Sequence, residues 1–440
     1  MDINRRDMFR AGAAAFTTAI FTGKIRGAND RVAVGYIGMG KMGRANLEIS
    51  MRRPNVVPVA VCDVFQRNLD SAVKISNGQA TAYKDFHEVL ASPSIDAICI
   101  AAPDHWHAYM TVEACKAGKD VYVEKPVCVA PNEGLAMVEA ARKYNRVVQA
   151  GTMQRSAKHF QQAVNLVKSG ELGKITFVRT WNYANVDPKG WGNPPDTEPP
   201  ATLNWDMWLG PAPEHQFNAN RFGVDPEDRY FSTFRYFWDY AGGWMTDWGV
   251  HWLDIVQMAF DEAMPTSIAA MGGKLVTTDN LETPDTLQVT YQYPGFVATY
   301  EHREGNGQSM FDKDGGILFC GDKATMFVDR GGFEVVPEVQ SDDLDRRERT
   351  KSDVQPMKVK ATDSGNDNHW ANFLECMKTR QKPISDIEAC RRSTTTCLMG
   401  NVAFRSGVRV DFDPQNTTAK QAEATPLMTR QYRSPWKLEV

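Results

Sequence analysis

The sequence predicts an α/β protein of two domains, and three observations lead to that class. A β-rich run at residues 31–37 passes through a glycine-rich turn into a helical pattern. Strand-like and helix-like runs then alternate as far as residue 151, as in a parallel sheet covered by helices. Later in the chain the pattern changes to successive strands, at 175–181, 267–272, 286–293, 296–302, 316–319 and 324–328, separated by Pro, Gly and Asp signals. With 440 residues, there is enough chain for two hydrophobic cores.

The first thirty residues are set apart from this pattern. MDINRRDMFR is followed by a small apolar run at 11–23, too short to span a membrane, which is the layout of a signal peptide. Arg5 and Arg6, with Phe9 and Arg10, resemble a twin-arginine export signal, although Met8 and Phe9 stand where Phe and Leu are usual and Asn4 replaces Ser or Thr. A leader over 1–30, a periplasmic location and a mature protein with no membrane span are therefore expected.

Within the first domain, 31–151, the turn after the first strand reads Gly38-Met39-Gly40-Lys41-Met42-Gly43. Gly38 permits the tight turn, Gly40 lets backbone approach a pyrophosphate, and Gly43 lets helix and strand pack closely. A second strand at 56–62 ends in Asp63, about 20 residues beyond Gly43, where a carboxylate can accept from both ribose hydroxyls. This is a Rossmann parallel sheet expected to bind NAD. Asp63 would repel the extra phosphate of NADP, while Arg67, one turn onward, is the residue that could accept it. A helix near 86–90, a strand at 97–101, a loop over 103–107, a helix at 108–117 and strands at 120–123 and 147–150 complete the domain. Ligands of such sheets lie at strand C-terminal ends, so Ala102, Pro103, His107, Glu124 and Lys125 are expected beside the cofactor.

Composition excludes several partners. Lys+Arg 50 against Asp+Glu 54 gives neither a nucleic-acid nor an anionic-membrane surface. The eight cysteines contain no CxxC pair and read as buried free thiols, and no residue set has metal-ligand spacing, so no metal is expected. Eleven tryptophans, several beside polar loops, include candidates for stacking on sugar rings, with core packing as the rival reading.

The motifs GMGKMG, APDHWHA, DVYVEKP and GTMQRS stand in an order that resembles the Gfo/Idh/MocA oxidoreductase family. Later landmarks at 170–175, 203–213, 242–255 and 369–375 are similar to that family's, and QYRSPW at 431–436 is similar to the closing motif of an exported bacterial branch. The resemblance implies that residues 152–416 form a C-terminal α/β domain with a large, mostly antiparallel open sheet, followed by an extended polar tail at 417–440. One face of that sheet would be covered by helices and the other by a second subunit, giving a homodimer or homotetramer.

It also implies chemistry on a carbohydrate or glycoside. Oxidising a sugar alcohol needs a base and a positive polariser converging on one oxygen. Lys125 of EKP matches the family's catalytic lysine, and Pro126 after it is a candidate cis proline. Asp247 and His251 fit its D-x-x-x-H element; four residues apart on a helix they would share a face, with Asp247 orienting a His251 that titrates near neutral pH. Without the resemblance, an exposed lysine and a solvated Asp–His pair are the ordinary readings. Gln154 and Arg155 are expected at the junction of cofactor and substrate. Trp181, Tyr183, Trp244 and Trp248 are the candidate sugar-stacking rings, and His105 is a loop histidine with or without a role.

Export would remove the protein from a nicotinamide pool, so the NAD is expected to be tightly bound. Net sugar oxidoreduction is the leading expectation. The alternatives are a redox-neutral glycoside hydrolase that oxidises C3 transiently, and a catalytically silent NAD-binding protein.

Overall fold

The computed structural model describes residues 31–223, 232–309, 312–341 and 349–440; the expected leader at 1–30 lies outside them. Six strands form a parallel sheet in the order β3-β2-β1-β4-β5-β6. They are β1 (Val32–Ile37), β2 (Val56–Cys62), β3 (Thr81–Tyr83), β4 (Ala97–Ile100), β5 (Asp120–Val123) and β6 (Val148–Ala150). All four residues of β4 and of β5 are buried, because helices cover both faces of the sheet. These helices are α1 (Lys41–Met51), α2 (Gln66–Ile75), α3 (Phe86–Ala91), α4 (Asp104–Lys116) and α5 (Pro131–Lys143). The strand order reverses between β1 and β4, which opens a crevice at their C-terminal ends.

Helix α4 starts four residues before the expected 108, so the segment read as a loop is its first turn. Its residues are buried on nearly every side, His105, Trp106 and His107 included, and a helix without a polar stripe shows no amphipathic period. Asp104 in the first turn complements the helix dipole.

A ten-stranded sheet follows. Its strands are β7 (Ile175–Tyr183), β8 (Ser267–Gly273), β9 (Thr286–Tyr293), β10 (Phe296–Arg303), β11 (Gly315–Gly321), β12 (Ala324–Asp329), β13 (Gly332–Pro337), β14 (Met357–Lys360), β15 (Val410–Asp413) and β16 (Thr418–Ala419). Their order is β14-β13-β12-β11-β7-β10-β9-β8-β15-β16, antiparallel except where β7 pairs with β10. On β9, Leu287, Val289, Tyr291 and Tyr293 point into the core, while Gln288, Thr290 and Gln292 are exposed. This period of two buries one face and leaves the other open. Met271 on β8 is 82% exposed.

Helices α6 (Lys158–Lys168), α7 (Gly243–Asp247), α8 (Gly249–Ala259), α9 (Asn366–Thr379) and α10 (Ile387–Ser406) complete the fold. Phe160, Leu253, Val256 and Met399 join Val178, Val289 and Phe319 in the core against the large sheet. Burying each such side chain contributes about 1.5–3 kcal/mol. Helix α10 serves two cores, since its Ile387, Cys390 and Leu398 pack with the parallel-sheet side.

The segment 417–440, expected as a polar tail with few apolar anchors, is tied back onto the parallel-sheet domain. Arg430 donates to Glu133 of α5 at 2.8 Å and to the His105 carbonyl at 2.8 Å, and Tyr432 donates to Glu133 at 2.6 Å. Trp436 packs edge-on against Trp106 and Tyr109. All eight cysteines are free, seven of them buried. Among the described residues no helix is long and apolar enough to cross a membrane.

Candidate active site

A cavity of about 270 Å³ runs from the glycine turn to the junction of the two domains. Gly38, at φ +84°, lies so close to β4's end that an added Cβ would fall 2.4 Å from the Ala102 nitrogen. A Cβ on Gly43 would fall 1.9 Å from the Gly38 carbonyl oxygen, whereas one on Gly40 would meet nothing within 4 Å. The turn is therefore closed on the sheet side and open on the cavity side. Helix α1 has no side-chain cap, and its first turn, with Lys41 and Met42, lines the cavity, the arrangement of an anion site at a helix N-terminus.

Asp63 lines the same end. Its carboxylate accepts from the Met39 N–H at 2.7 Å, the Phe65 N–H at 2.8 Å and the Asn68 amide at 3.2 Å. It thus fixes the glycine turn and still presents lone pairs towards the cavity. Open backbone, uncapped helix and carboxylate fit the phosphate and ribose of a dinucleotide. Replacing Asp63 with Ala is expected to weaken NAD binding about tenfold to a hundredfold, the usual worth of hydrogen bonds to a charged group, in a titration followed by NADH fluorescence.

Pro103, His107, Glu124 and Lys125 line the middle of the cavity. His107 is held between the carbonyl oxygens of Pro126, 2.7 Å from Nδ1, and Ala102, 2.8 Å from Nε2. Burial lowers its pKa against the pull of those two acceptors, so the neutral ring donates to one of them at a time. Glu124 is buried and accepts from Asn46 at 2.8 Å; burial raises its pKa, opposed by Asn46 and Lys125. The Lys125–Pro126 peptide is cis.

At the far end, Lys125 Nζ donates to the Asp247 carboxylate at 2.6 Å and to the Asp247 carbonyl at 2.9 Å. Arg235 Nε lies 3.4 Å from the same carboxylate oxygen. Loss of water alone would push the Asp247 carboxyl up, but Lys125 and Arg235 hold it down at about 2. The expected Asp247–His251 pair is not formed. The helix breaks at Trp248 between α7 and α8, and Asp247 turns to the two cations instead.

His251 is 6% exposed and lines the cavity. Its Nδ1 is enclosed without a hydrogen-bond partner among the described residues, which leaves Nε2 as the nitrogen that can meet a ligand. Burial, then the charges of Lys125 and Arg330, push its pKa well below the usual histidine range, so the ring is neutral and does not titrate near neutral pH as expected. Gln154 lies behind the cavity wall, donating to the His251 carbonyl at 2.9 Å and accepting from Arg330 at 3.1 Å. Arg330 in turn covers the Trp248 ring at 4.8 Å, and both line the cavity.

Asp104 also lines this end, only 5% exposed. Burial raises its carboxyl from 3.8 to about 7, against the opposing charges of Arg235 and Lys125. A carboxyl raised on folding penalises the folded state progressively between pH 3.8 and about 7, and by a constant amount above. Replacing Asp104 with Asn is expected to raise the urea midpoint relative to wild type near pH 8 and much less near pH 4.

Several expected site residues lie elsewhere. Arg155 is locked to Asp254 at 2.7 and 2.8 Å and to Glu262 at 2.6 Å, and its side chain is buried away from the cavity. Trp181 is fully buried in the large sheet, donating to the Lys313 carbonyl at 3.1 Å. Tyr183 donates to Glu301 and is covered by Arg303 at 3.7 Å, so no sugar can stack on it. Trp244 lines a second cavity, donating to the Tyr236 hydroxyl at 2.7 Å. Arg67 is not among the residues lining the main cavity. Met39 is a core residue that contributes its N–H to Asp63. His105 packs against Trp208 and Tyr240, 3.1 Å from the Trp208 carbonyl, and is structural. The sequence reading missed Arg235, Asp104 and Arg330; only Asp104, beside a proline at a strand's C-terminal end, carried a usable signal. Among the described residues no group of three or more His, Cys, Asp or Glu is arranged to hold a metal ion.

The sequence profile of an oxidoreductase family with an NAD-binding Rossmann fold matches residues 32–152, and that of its C-terminal alpha/beta domain matches 162–342 and 346–438. Inositol 2-dehydrogenase of Salmonella typhimurium is 31% identical over 151 residues, 34% of this chain and 45% of that protein. The enzyme of the same name from Rubrobacter xylanophilus is 31% identical over 205 residues, 46% of this chain and 55% of that protein. The chain thus spans about half the length of the curated relatives it matches. Levoglucosan dehydrogenase, solved with NADH and levoglucosan, superposes with a TM-score of 0.64 at 16% identity, covering 87% of this chain and 99% of that one. Aldose-aldose oxidoreductase from Caulobacter crescentus, solved with glycerol, gives 0.63 at 17% identity, covering 87% and 100%. At these identities the two structures show a shared fold.

Proposed function

We propose, from the premise that the chain belongs to the Gfo/Idh/MocA oxidoreductase family, that it oxidises a carbinol carbon of a carbohydrate or glycoside with NAD as hydride acceptor. The observation carrying this reading is that Lys125, Asp247 and His251 line one end of a cavity whose other end is the glycine turn and Asp63. NAD, when bound, supplies the nicotinamide carbon that takes the hydride.

The ammonium of Lys125 has three donors, two of which go to Asp247. The third is left for a substrate oxygen, whose developing negative charge it stabilises. Asp247 is a positioning residue: its carboxylate and carbonyl fix the ammonium in place. His251, kept neutral, accepts the hydroxyl proton at Nε2 and passes it on to solvent, as the hydride leaves the same carbon for NAD. Asp104, protonated in the lower half of its range, offers a donor for a neighbouring hydroxyl. The relatives named above are dehydrogenases, which favours net oxidoreduction over the hydrolytic cycle.

The purified protein is tested by denaturing it and assaying for released NAD, then by incubating it with free sugars and aryl glycosides in deuterated water. A ketosugar formed in proportion to NADH supports the reading. Aglycone release with deuterium at C2 would establish the hydrolytic cycle instead, and a protein that neither carries nor binds NAD would end both. Tight retention of NAD, export to the periplasm through residues 1–30 and a homodimer or homotetramer through the open face of the large sheet belong to the same proposal. Cell fractionation with N-terminal sequencing, and light scattering of the purified protein, check the last two.

A further inference from the structure

A second cavity, of about 290 Å³, lies beyond the wall that closes the main one. The 3₁₀ turn Thr233–Tyr236 and helix α7 form that wall: Arg235 and Asp247 face the main cavity, while Tyr236 and Trp244 face the second. Three carboxylates also line the second cavity, and two of them are accounted for. Asp279 pairs with Lys274 at 2.6 Å and accepts the Trp191 N–H at 3.0 Å. Asp285 accepts the N–H groups of Leu275, Val276 and Thr277 at 2.8–3.0 Å, so both acids hold the surrounding loops together.

Glu304 has no such role. It is 8% exposed and lines the cavity, yet no described residue donates a hydrogen bond to its carboxyl. With no protein donor, its carboxyl oxygens take their hydrogen bonds from whatever fills the cavity, water or ligand. Burial, reinforced by Asp285 and Asp279, raises its pKa well above the usual carboxylate range, which favours the protonated form, a group that both donates and accepts. Three aromatic side chains, Trp244, Tyr236 and Trp191, the last 42% exposed, line the cavity together with Val186, Leu281, Thr277 and Thr283. No Lys, Arg or His lines the cavity among the described residues, which disfavours a phosphate or carboxylate ligand. Its volume is at the small end of ligand pockets and suits one ring.

We infer that this cavity is a second carbohydrate subsite, in which a neutral pyranose ring packs on the aromatic walls and exchanges hydrogen bonds with Glu304. The choice of ligand class rests on the carbohydrate reading of the main cavity. The site would hold a sugar apart from the reacting one, on the other side of the wall formed by the 3₁₀ turn and α7.

The test uses the full-length protein with NAD and a fixed set of probes: the methyl glycosides of glucose, galactose and mannose in both anomers, cellobiose and lactose. Binding is read by saturation-transfer NMR and tryptophan fluorescence. At least one probe is expected to bind a Lys125→Met protein, to lose about tenfold in affinity with Trp191→Ala or Glu304→Ala, and to be retained within about threefold by Glu304→Gln. Circular dichroism confirms that each variant is folded; should Glu304→Ala fail, Trp191→Ala alone decides, because Trp191 is 42% exposed. The inference is overturned if no probe binds Lys125→Met, or if binding ignores Trp191→Ala and the Glu304 substitutions. A wild-type protein without NAD or sugar oxidation would defeat the oxidoreductase reading while leaving this binding pattern intact.

Discussion

Replacing Lys125 with Met is expected to lower kcat/KM by about 10²–10⁴-fold while leaving NAD affinity nearly unchanged. Methionine keeps the length of the stem but has no donor for the substrate oxygen. Asp247 retains Arg235 as a counter-charge, so the wall of the cavity should survive the substitution. Steady-state kinetics with the best sugar from the panel, alongside an NADH titration, separate a chemical defect from a binding one. A variant with wild-type turnover would remove Lys125 from the chemistry and with it the site proposed above.

Replacing Arg155 with Ala is expected to destabilise the fold by about 3–5 kcal/mol, because it strands Asp254 without its cation. The Asp254 side chain is 1% exposed and is held from the other side by Ser393, whose hydroxyl donates at 2.6 Å. One guanidinium therefore joins the turn after β6 to α8 and, through Ser393, to α10. Lysine should restore only part of the loss, since it cannot address both oxygens of Asp254 and also reach Glu262. Urea denaturation measures the effect. The folded fraction should oxidise sugar with near wild-type kcat, because Arg155 does not touch the cavity.

The contrast between Lys125 and Arg155 marks what the sequence made legible. The glycine turn, β2 and Asp63 form a local unit, so their order along the chain already carried their geometry. Lys125 was legible through its motif at a strand end. Arg155 stands in an equally recognisable motif, but its role depends on Asp254, 99 residues onward, and no local signal reveals that partner. The same holds for Asp247. The spacing to His251 suggested one helical face, yet the break at Trp248 and the approach of Lys125, 122 residues away in sequence, decided its contacts. Trp181 and Tyr183 alternate like other strand residues, and nothing in a strand's sequence says whether a large aromatic faces ligand or core. The later strands β13 to β16 went unread because they are short, or interrupted by charge and glycine.

The return of residues 430–436 to the first domain has a consequence for how the polypeptide is made. The indole of Trp436 completes an aromatic cluster with Trp106 and Tyr109, and Arg430 neutralises Glu133, all within the part that leaves the ribosome first. Before residues 430–436 are made, Trp106 and Tyr109 lack the indole that packs on them and Glu133 lacks its cation. The first domain is therefore expected to be less protected before these residues are made than after. A protein truncated before residue 430 is expected to be cut by protease faster than one that carries residues 430–436.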